Sequence, residues 1–279
     1  MLDIMKNAKN AMKAFETALK AQTSNMGNMD TVGYKSLKYS FKTVFNQVLN
    51  GGSGGDSDVG GTNPVQYGAN VTLSNIFVDF SQGEIGEGTD LDIAIQGAGL
   101  FIVSPDNGQT FLYSRAGNFK RNGLGELLDN SGRAVYGYKA DTDGIIDTSQ
   151  LVPIKPGIGP NSGWKSKGSD GMFMEDNTKE DSKPLFQIAL TDFPNKAGLI
   201  QYDGTTFKSS SAAGVPFQIN VANKDGYGAV LSNSIEKSNV FFIGETVDAI
   251  EVQRAMSASL TAIKIASEQI QTVIQQVGA

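Results

Sequence analysis

The sequence predicts an α+β protein in which terminal N- and C-helices form a coiled-coil core domain and the middle forms a β-rich, antiparallel body. Three observations indicate this fold. Apolar residues repeat at alternating steps of four and three near both ends of the 279-residue chain. Short apolar runs separated by turn residues fill the middle of the chain. The 33 glycines exceed average usage, which favours many turns.

The N-terminal helix is predicted from a heptad stripe. The stripe includes Met5, Met12, Phe15 and Leu19. This spacing places apolar side chains on one face of a helix, and Gly27 is a suitable stop. We assign residues 1–45 to this helix and to the joint that connects it with the body.

A Gly-rich linker is predicted for residues 46–70, because residues 51–61 consist almost entirely of Gly, Ser and Asp. The β-rich body is predicted for residues 71–237, with 155–184 as a possible loop insertion. Asn107-Gly108 predicts a hairpin turn, since this pair tolerates positive φ. The predicted strands are Val71–Phe80, Leu91–Ile95, Leu100–Val103, Thr110–Ser114, Ala134–Tyr138, Phe186–Thr191 and Phe217–Val221.

The C-terminal helix is predicted for residues 238–279 and carries a second heptad stripe. This stripe includes Met256, Leu260, Ile263, Ile270 and Ile274. Upstream, Ile243, Val247, Ile250 and Arg254 follow a shifted stripe, which indicates a stutter. Three polar residues near the stripe are predicted to set the helix register; they are Glu245, Gln253 and Arg254. The two terminal helices can pair with each other or with helices of other copies.

Composition excludes most common catalytic chemistry. The chain holds no His and no Cys, so thiol nucleophiles, Ser-His-Asp triads and His- or Cys-ligated metals are ruled out. Gly97-Ala98-Gly99 precedes a strand and lacks the third Gly of a dinucleotide loop. Asp141 begins an acidic turn without the Glu of a calcium loop, and Asp90 and Asp92 are interpreted as solvated strand residues. We therefore predict no enzyme activity, no catalytic residue, no cofactor and no metal.

Charge and hydropathy restrict the partners. The net charge is −6, and most of the excess acid follows residue 42, which argues against binding of nucleic acid. The lysines before that point are interpreted as a solvated helix face. Apolar runs are too short to cross a membrane, and residues 1–10 lack the apolar region of a signal peptide.

Three separated segments resemble the bacterial flagellar axial proteins, the family of the hook and the rod. Ser24–Lys35 is similar to the family's NNIANVNTxGFK signature. Within Asp79–Phe119, the residues resemble its FxQGxL, LDLAIxGxGFF and YTRAGxF blocks. Ser238–Ala255 resembles its SNV…QRA helix. The three segments occur in the family's order and span both ends and the middle of the chain.

The resemblance implies a structural subunit that assembles into a helical tube lined by its terminal helices. It implies self-association, contact with neighbouring axial proteins and with a hook or rod cap, and location in the flagellar hook or basal body. It also implies export by the type III apparatus without a cleaved signal peptide. The joint between helix and body is expected at Asn25, Asn28, Thr31 and Gly33, with Asn239 and Val240 at the start of the C-terminal helix.

The segment Gly60–Gly68 resembles hook proteins, so the sequence favours the hook subunit. The distal rod subunit is the alternative, because the chain is short for a hook protein that carries large outer domains. Two other classes stay open. They are a wall-cleaving hydrolase built on a carboxylate pair and a binding module on a coiled-coil stalk.

Overall fold

The computed structural model describes residues 2–52, 54, 60–141, 143–155, 170–174 and 183–277. The chain divides into two compact units. Unit 1 consists of Met1–Gly27, Leu37–Phe77 and Phe241–Ala279, and unit 2 consists of Asn28–Ser36 and Val78–Val240. The fold is α+β, as predicted.

Unit 1 holds the two long helices and a two-stranded sheet. Its elements are α1 (Leu2–Gly27), β1 (Leu37–Asn50), β2 (Val65–Val78) and α2 (Phe242–Val277). Both predicted terminal helices are present, and α1 ends at Gly27. At about 1.5 Å per residue, the 36 residues of α2 extend for about 54 Å. Neither helix, nor any other helix in the described part of the chain, is long and apolar enough to cross a membrane.

Strand β1 corrects the sequence prediction, which gave this region no strand. Leu37 and Tyr39 are half-buried, whereas Lys38 and Ser40 are exposed. This alternation, with aromatic and β-branched residues following, favours an extended chain over a helix or a coil. β1 pairs with β2, so the predicted linker 46–70 includes the end of one strand and the beginning of the next.

Unit 2 is built from short antiparallel strands. They are β3 (Ile85–Glu87), β4 (Ile93–Gln96), β5 (Leu100–Ser104), β6 (Leu112–Ser114), β7 (Lys120–Arg121), β8 (Leu127–Leu128), β9 (Ala134–Ala140), β10 (Ile146–Pro153), β11 (Met172–Met174), β12 (Pro184–Ile188), β13 (Leu190–Thr191), β14 (Ile200–Asp203), β15 (Thr206–Lys208), β16 (Ala229–Ser232) and β17 (Ser234–Glu236). The main sheet has the order β11-β12-β9-β5-β6-β15-β14. Strand β10 pairs with β9, and β13 pairs with β5. Strand β8 pairs with β9, and β7 pairs with β8.

The apolar core of unit 2 lies on this sheet. Strand β5 is buried along its whole length because it has neighbours on both edges. Its side chains pack with apolar residues from the surrounding strands and loops, including Ile93, Leu127, Ile188 and Val230. A fully buried strand needs a continuous apolar run, and Leu-Phe-Ile-Val supplies it.

The predicted hairpin at Asn107-Gly108 is confirmed. Strands β5 and β6 pair in register, with Val103 opposite Leu112. Asn107 has φ of 55° and Gly108 has φ of 91°, the positive values that favour this residue pair in hairpin turns.

One predicted strand needs correction, and the segment 155–184 is described in part. Phe217–Val221 forms no strand; only Asn220 makes an isolated bridge, to Leu190, and Phe217 N donates to the Asp192 carbonyl oxygen instead. The possible loop insertion 155–184 contributes β11 to the main sheet. Residues 156–169 and 175–182 of that segment lie outside the described residues.

Candidate assembly site

Helix α1 buries a row of small residues. Ala14, Ala18, Ala21 and Asn25 are buried and follow steps of four, three and four. We call this row the inner seam of α1, because α1 packs against α2. The predicted stripe of larger side chains lies beside it and is only half-buried; it includes Met5, Met12, Phe15 and Leu19.

Helix α2 has a matching inner seam. Its residues are Glu245, Ala249, Val252, Met256, Ser259, Ile263, Ala266 and Ile270. All are buried or half-buried, and they follow steps of four and three throughout. Met256, Ile263 and Ile270 of the predicted stripe therefore belong to the seam. Leu260 and Ile274 do not, because their exposed fractions are 47% and 64%.

The upstream stripe of α2 is a second face and not a shifted seam. Ile243, Val247 and Ile250 are exposed by 64%, 50% and 50%. At about 100° per residue they lie across the helix from Val252, on what we call the outer face. The predicted stutter is therefore wrong. Gln253 and Arg254 are exposed and lie outside the inner seam, and their role in setting the helix register stays a prediction.

Polar side chains fix the beginning of β1 on α1. The buried Asn25 amide donates to the Leu37 carbonyl oxygen at 3.0 Å and accepts from the Leu37 N–H at 2.8 Å. Gln22 Nε2 donates to the Tyr39 hydroxyl at 2.5 Å. The rings of Phe15 and Phe41 meet edge to face at 5.4 Å between centroids. The Asn25 side chain thus bonds both polar groups of the Leu37 backbone, as a neighbouring strand would.

Glu245 lies at the buried beginning of the α2 seam. Its carboxylate is 3.5 Å from Lys38 Nζ on β1, and its side chain is 6% exposed against 48% for Lys38. A groove of about 280 Å³ runs beside this pair and is lined by β1 and by one side of α2. The pair links a seam position to the strand rather than to α1.

Unit 2 contains a buried charge cluster of Lys35, Arg115 and Glu236. Lys35 Nζ lies 2.6 Å from one Glu236 oxygen and Arg115 Nε lies 2.5 Å from the other. Gly83 N–H donates to the same carboxylate at 2.8 Å. All three charged side chains are at most 6% exposed. Burial is the main cause that lowers the pKa of Lys35, and the neighbouring carboxylate of Glu236 opposes it.

Arg115 also binds the Gly-rich bend after β4. Its guanidinium donates to the carbonyl oxygens of Ile95 at 2.9 Å, Gly97 at 2.6 Å and Gly99. Three carbonyls converge on one cation, so this bend is a structural loop.

Asn239 joins three segments of unit 2. Its side-chain oxygen accepts from Ser36 N–H at 2.7 Å, and its amide donates to the carbonyl oxygens of Asp79 at 2.9 Å and Ser81 at 3.1 Å. Asp79 N–H donates to the Ser36 carbonyl oxygen at 2.8 Å. Val240, the next residue, is half-buried.

The segment after α1 is held in a tight turn. Thr31 N–H donates to the Asn28 carbonyl oxygen at 3.1 Å, and Gly33 N–H donates to the Glu236 carbonyl oxygen at 2.7 Å. Gly33 has φ of +69°, and a Cβ there would lie 2.4 Å from the Ala116 backbone. Only glycine fits this position without strain.

Asp92, which the sequence analysis interpreted as a solvated carboxylate, is buried and holds a turn of the fold. Asp92 accepts from the Thr89 N–H at 2.6 Å and from its hydroxyl at 2.9 Å. Asp141 N–H donates to the Ile145 carbonyl oxygen in the turn between β9 and β10. Among the residues that the structure describes, no group of three acidic side chains could hold a metal ion.

Sequence reasoning missed the charge cluster. Lys35, Arg115 and Glu236 are far apart in the chain, and nothing in their spacing places them together. Lys35 and Arg115 each lie inside a segment that carries the family resemblance, and Glu236 comes three residues before Asn239. The feature of the sequence that could have indicated the cluster is the presence of charged residues inside apolar motifs.

Comparisons with known proteins match both units. The family model for the flagellar hook protein FlgE/F/G D1 domain matches residues 94–161, and that for the flagella basal body rod protein matches residues 5–35. The chain is 28% identical over 275 residues to the flagellar basal-body rod protein FlgG of Bacillus subtilis, with 98% of each chain covered. FlgG of Caulobacter vibrioides is 27% identical over 281 residues, covering 98% of this chain and 99% of the relative. The flagellar hook protein FlgE of Helicobacter mustelae is 35% identical over 144 residues, which are 50% of this chain and 32% of that protein.

Proposed function

This chain belongs to the bacterial flagellar hook and rod protein family, and we propose that it is the rod-type structural subunit, which polymerises through its terminal helices. The sequence analysis favoured the hook and kept the distal rod as its alternative. That alternative fits better, because the rod proteins align with this chain from end to end. The hook stays the second candidate on the 35% identity, which extends over only 32% of the hook protein.

One observation carries the polymerisation proposal. α1 and α2 already bury their inner seams, yet large apolar side chains stay exposed along α2. Those with at least half of their surface exposed include Ile243, Val247, Ile250, Val273 and Ile274. Exposed apolar rows of this extent mark association surfaces, and burying them would provide the driving force for assembly.

The proposed role is mechanical and not catalytic. Axial proteins of this family are structural components of the flagellum and polymerise with each other and with neighbouring axial components. We extend this to a rod or hook cap as a partner and to export by the type III apparatus. The interfaces would be heterologous, so each added copy would present the same surface to the next.

Gold labelling of purified hook–basal bodies tests the assignment. An antibody raised against unit 2 should place gold along the straight rod. Gold along the curved hook would instead support the hook subunit. Gold on neither structure would contradict the axial function, and basal bodies from a strain lacking the gene provide the control for background binding.

A further inference from the structure

Unit 2 contains a pocket that is lined by two aromatic rings and two carboxylates. The rings are those of Phe217 and Tyr227, and the carboxylates are those of Asp192 and Asp225. The volume of about 350 Å³ lies within the range usual for small-molecule sites, about 300–1,000 Å³. We call this site the aromatic pocket.

Hydrogen bonds fix both rings of the aromatic pocket. Phe217 N–H donates to the Asp192 carbonyl oxygen at 2.8 Å, and the Thr191 hydroxyl donates to the Phe217 carbonyl oxygen at 3.4 Å. Phe217 is nevertheless 53% exposed. The Tyr227 hydroxyl donates to the Gln218 carbonyl oxygen at 2.7 Å, which holds the second ring. The apolar run that begins at Phe217 forms no strand, and it places an exposed ring on a fixed backbone instead.

A left-handed turn brings Asp225 to the pocket. Asn223 and Asp225 have φ of 60° and 50°, values that are uncommon outside glycine. The turn is closed by Tyr227 N–H, which donates to the Lys224 carbonyl oxygen at 2.9 Å. The Asn220 amide donates to one oxygen of the Asp225 carboxylate. Backbone conformations of this kind cost free energy and are concentrated at binding sites.

One carboxylate of the aromatic pocket lacks a counter-charge. Asp192 pairs with Lys196 Nζ at 2.8 Å. In the part of the chain that the structure describes, no Lys or Arg pairs with Asp225. Burial is the main cause that raises the pKa of the Tyr227 phenol, and the charges of Asp192 and Asp225 add to that rise. The pocket therefore combines one uncompensated negative charge with two aromatic rings.

We propose that the aromatic pocket binds one guanidinium group, which stacks on Phe217 and Tyr227 and donates to Asp225. A guanidinium group has flat faces that stack on aromatic rings and N–H groups that bond a carboxylate. A neutral ligand would leave the Asp225 charge without a partner, and an anion would be repelled by it. The site belongs to unit 2 and goes beyond the proposed function, which depends on the helices of unit 1.

Titration of the full chain with N-acetyl-arginine amide tests the site. Saturation-transfer NMR observes this probe directly, and we expect a Kd of about 1 mM, the strength usual for a ligand of this size. The citrulline analogue has nearly the same shape without the charge. It should bind roughly threefold to fivefold more weakly, because it loses the attraction of the rings and of the carboxylate.

Two variants locate the probe. Asp225→Asn and Phe217→Ala should each weaken binding roughly threefold to fivefold, and asparagine tolerates the left-handed turn. Asp90→Asn is the control for charge, because Asp90 is also exposed and also accepts from an Asn amide, that of Asn233 at 3.1 Å. Tyr202→Ala is the control for the ring, because Tyr202 is 61% exposed. Equal binding of the arginine and citrulline probes, or wild-type binding by Asp225→Asn, would overturn the proposal.

Polymerisation distinguishes the two sources of such a group. If it is an arginine side chain of another copy, Asp225→Asn should need a roughly threefold higher concentration to polymerise, and an excess of the arginine probe should inhibit the wild type. If it is a free ligand, Asp225→Asn should polymerise like the wild type and still bind the probe weakly. Failure of the wild-type chain to polymerise would overturn the proposed function and leave the pocket unaffected.

Discussion

Glu236 is the residue on which the buried charges of unit 2 depend. Its carboxylate accepts from Lys35, Arg115 and the Gly83 N–H, and its carbonyl oxygen accepts from the Gly33 N–H. A buried ion pair adds little net stability when complete, but removing one partner leaves an uncompensated charge in a medium of low polarity. The two cations of this cluster therefore need the single anion.

Glu236→Gln should lower the free energy of unfolding by about 3–5 kcal/mol, because Lys35 and Arg115 stay buried without a counter-charge. Glu84→Gln is the matched control. Glu84 also pairs with a lysine, Lys237 at 3.2 Å, but its side chain is 76% exposed. Such exposed pairs contribute at most about 1 kcal/mol. Urea denaturation of both variants measures the difference, and equal losses would contradict the role of Glu236.

Gly33→Ala should destabilise unit 2 by at least about 2 kcal/mol, since alanine disfavours positive φ and its Cβ would collide with the Ala116 backbone. Gly27→Ala provides the comparison, because no atom lies within 4 Å of a Cβ at the end of α1. Alanine there should leave stability unchanged or raise it by up to about 1 kcal/mol. Thermal unfolding of the two variants distinguishes these effects.

Burial raises the pKa of the Tyr113 phenol above its ordinary value of 10.0. Between that value and the higher pKa of the folded state, the folded protein binds more protons than the unfolded chain. Stability must therefore fall as the pH rises through this window. Tyr113→Phe should lose less stability than the wild type between pH 9 and pH 11, about one unit either side of the ordinary value. Parallel losses in urea titrations at the two pH values would refute the assignment.

The helices and strands could be predicted where the spacing of apolar residues along the sequence determines the local structure by itself. Both terminal helices and the hairpin at Asn107-Gly108 follow from spacing and turn chemistry. The face of α2 that packs against α1 could not be predicted from spacing, because two rows on this helix have the same heptad spacing. The row with Ala249 and Ala266 forms the seam, since small side chains let two helix axes approach closely. The charge cluster depends on long-range contacts that no local pattern encodes.

The outer face of α2 should be needed for assembly but not for folding. Ile250→Asp places a charge on that face and should abolish polymerisation, while the helix signal in circular dichroism stays near the wild-type value. Gln271→Asp introduces the same charge at another exposed position of α2 and should polymerise normally. Ile263→Asp lies in the inner seam and should instead weaken helix pairing within the chain. Polymerisation of the Ile250 variant at the wild-type concentration would exclude the outer face from assembly.

At the scale of the whole molecule, the chain passes between the two units four times, after Gly27, Ser36, Phe77 and Val240. On the unit 2 side, the side chain of Asn239 binds Ser36 and Asp79, which lie next to the passages after Ser36 and Phe77. Asn239 itself lies next to the passage after Val240. The family match and the fold together describe a structural subunit with one unit of paired helices and a two-stranded sheet and a second, β-rich unit.

Electron microscopy of basal bodies from a strain that lacks this chain is the most direct test of the rod assignment. The rod-type subunit predicts shortened rods that carry no hook. Restoring the wild-type gene should restore both structures, and the Ile250→Asp variant should restore neither. Complete rods that lack only the hook would contradict the rod assignment and favour the hook. Basal bodies of normal appearance would contradict the axial function altogether.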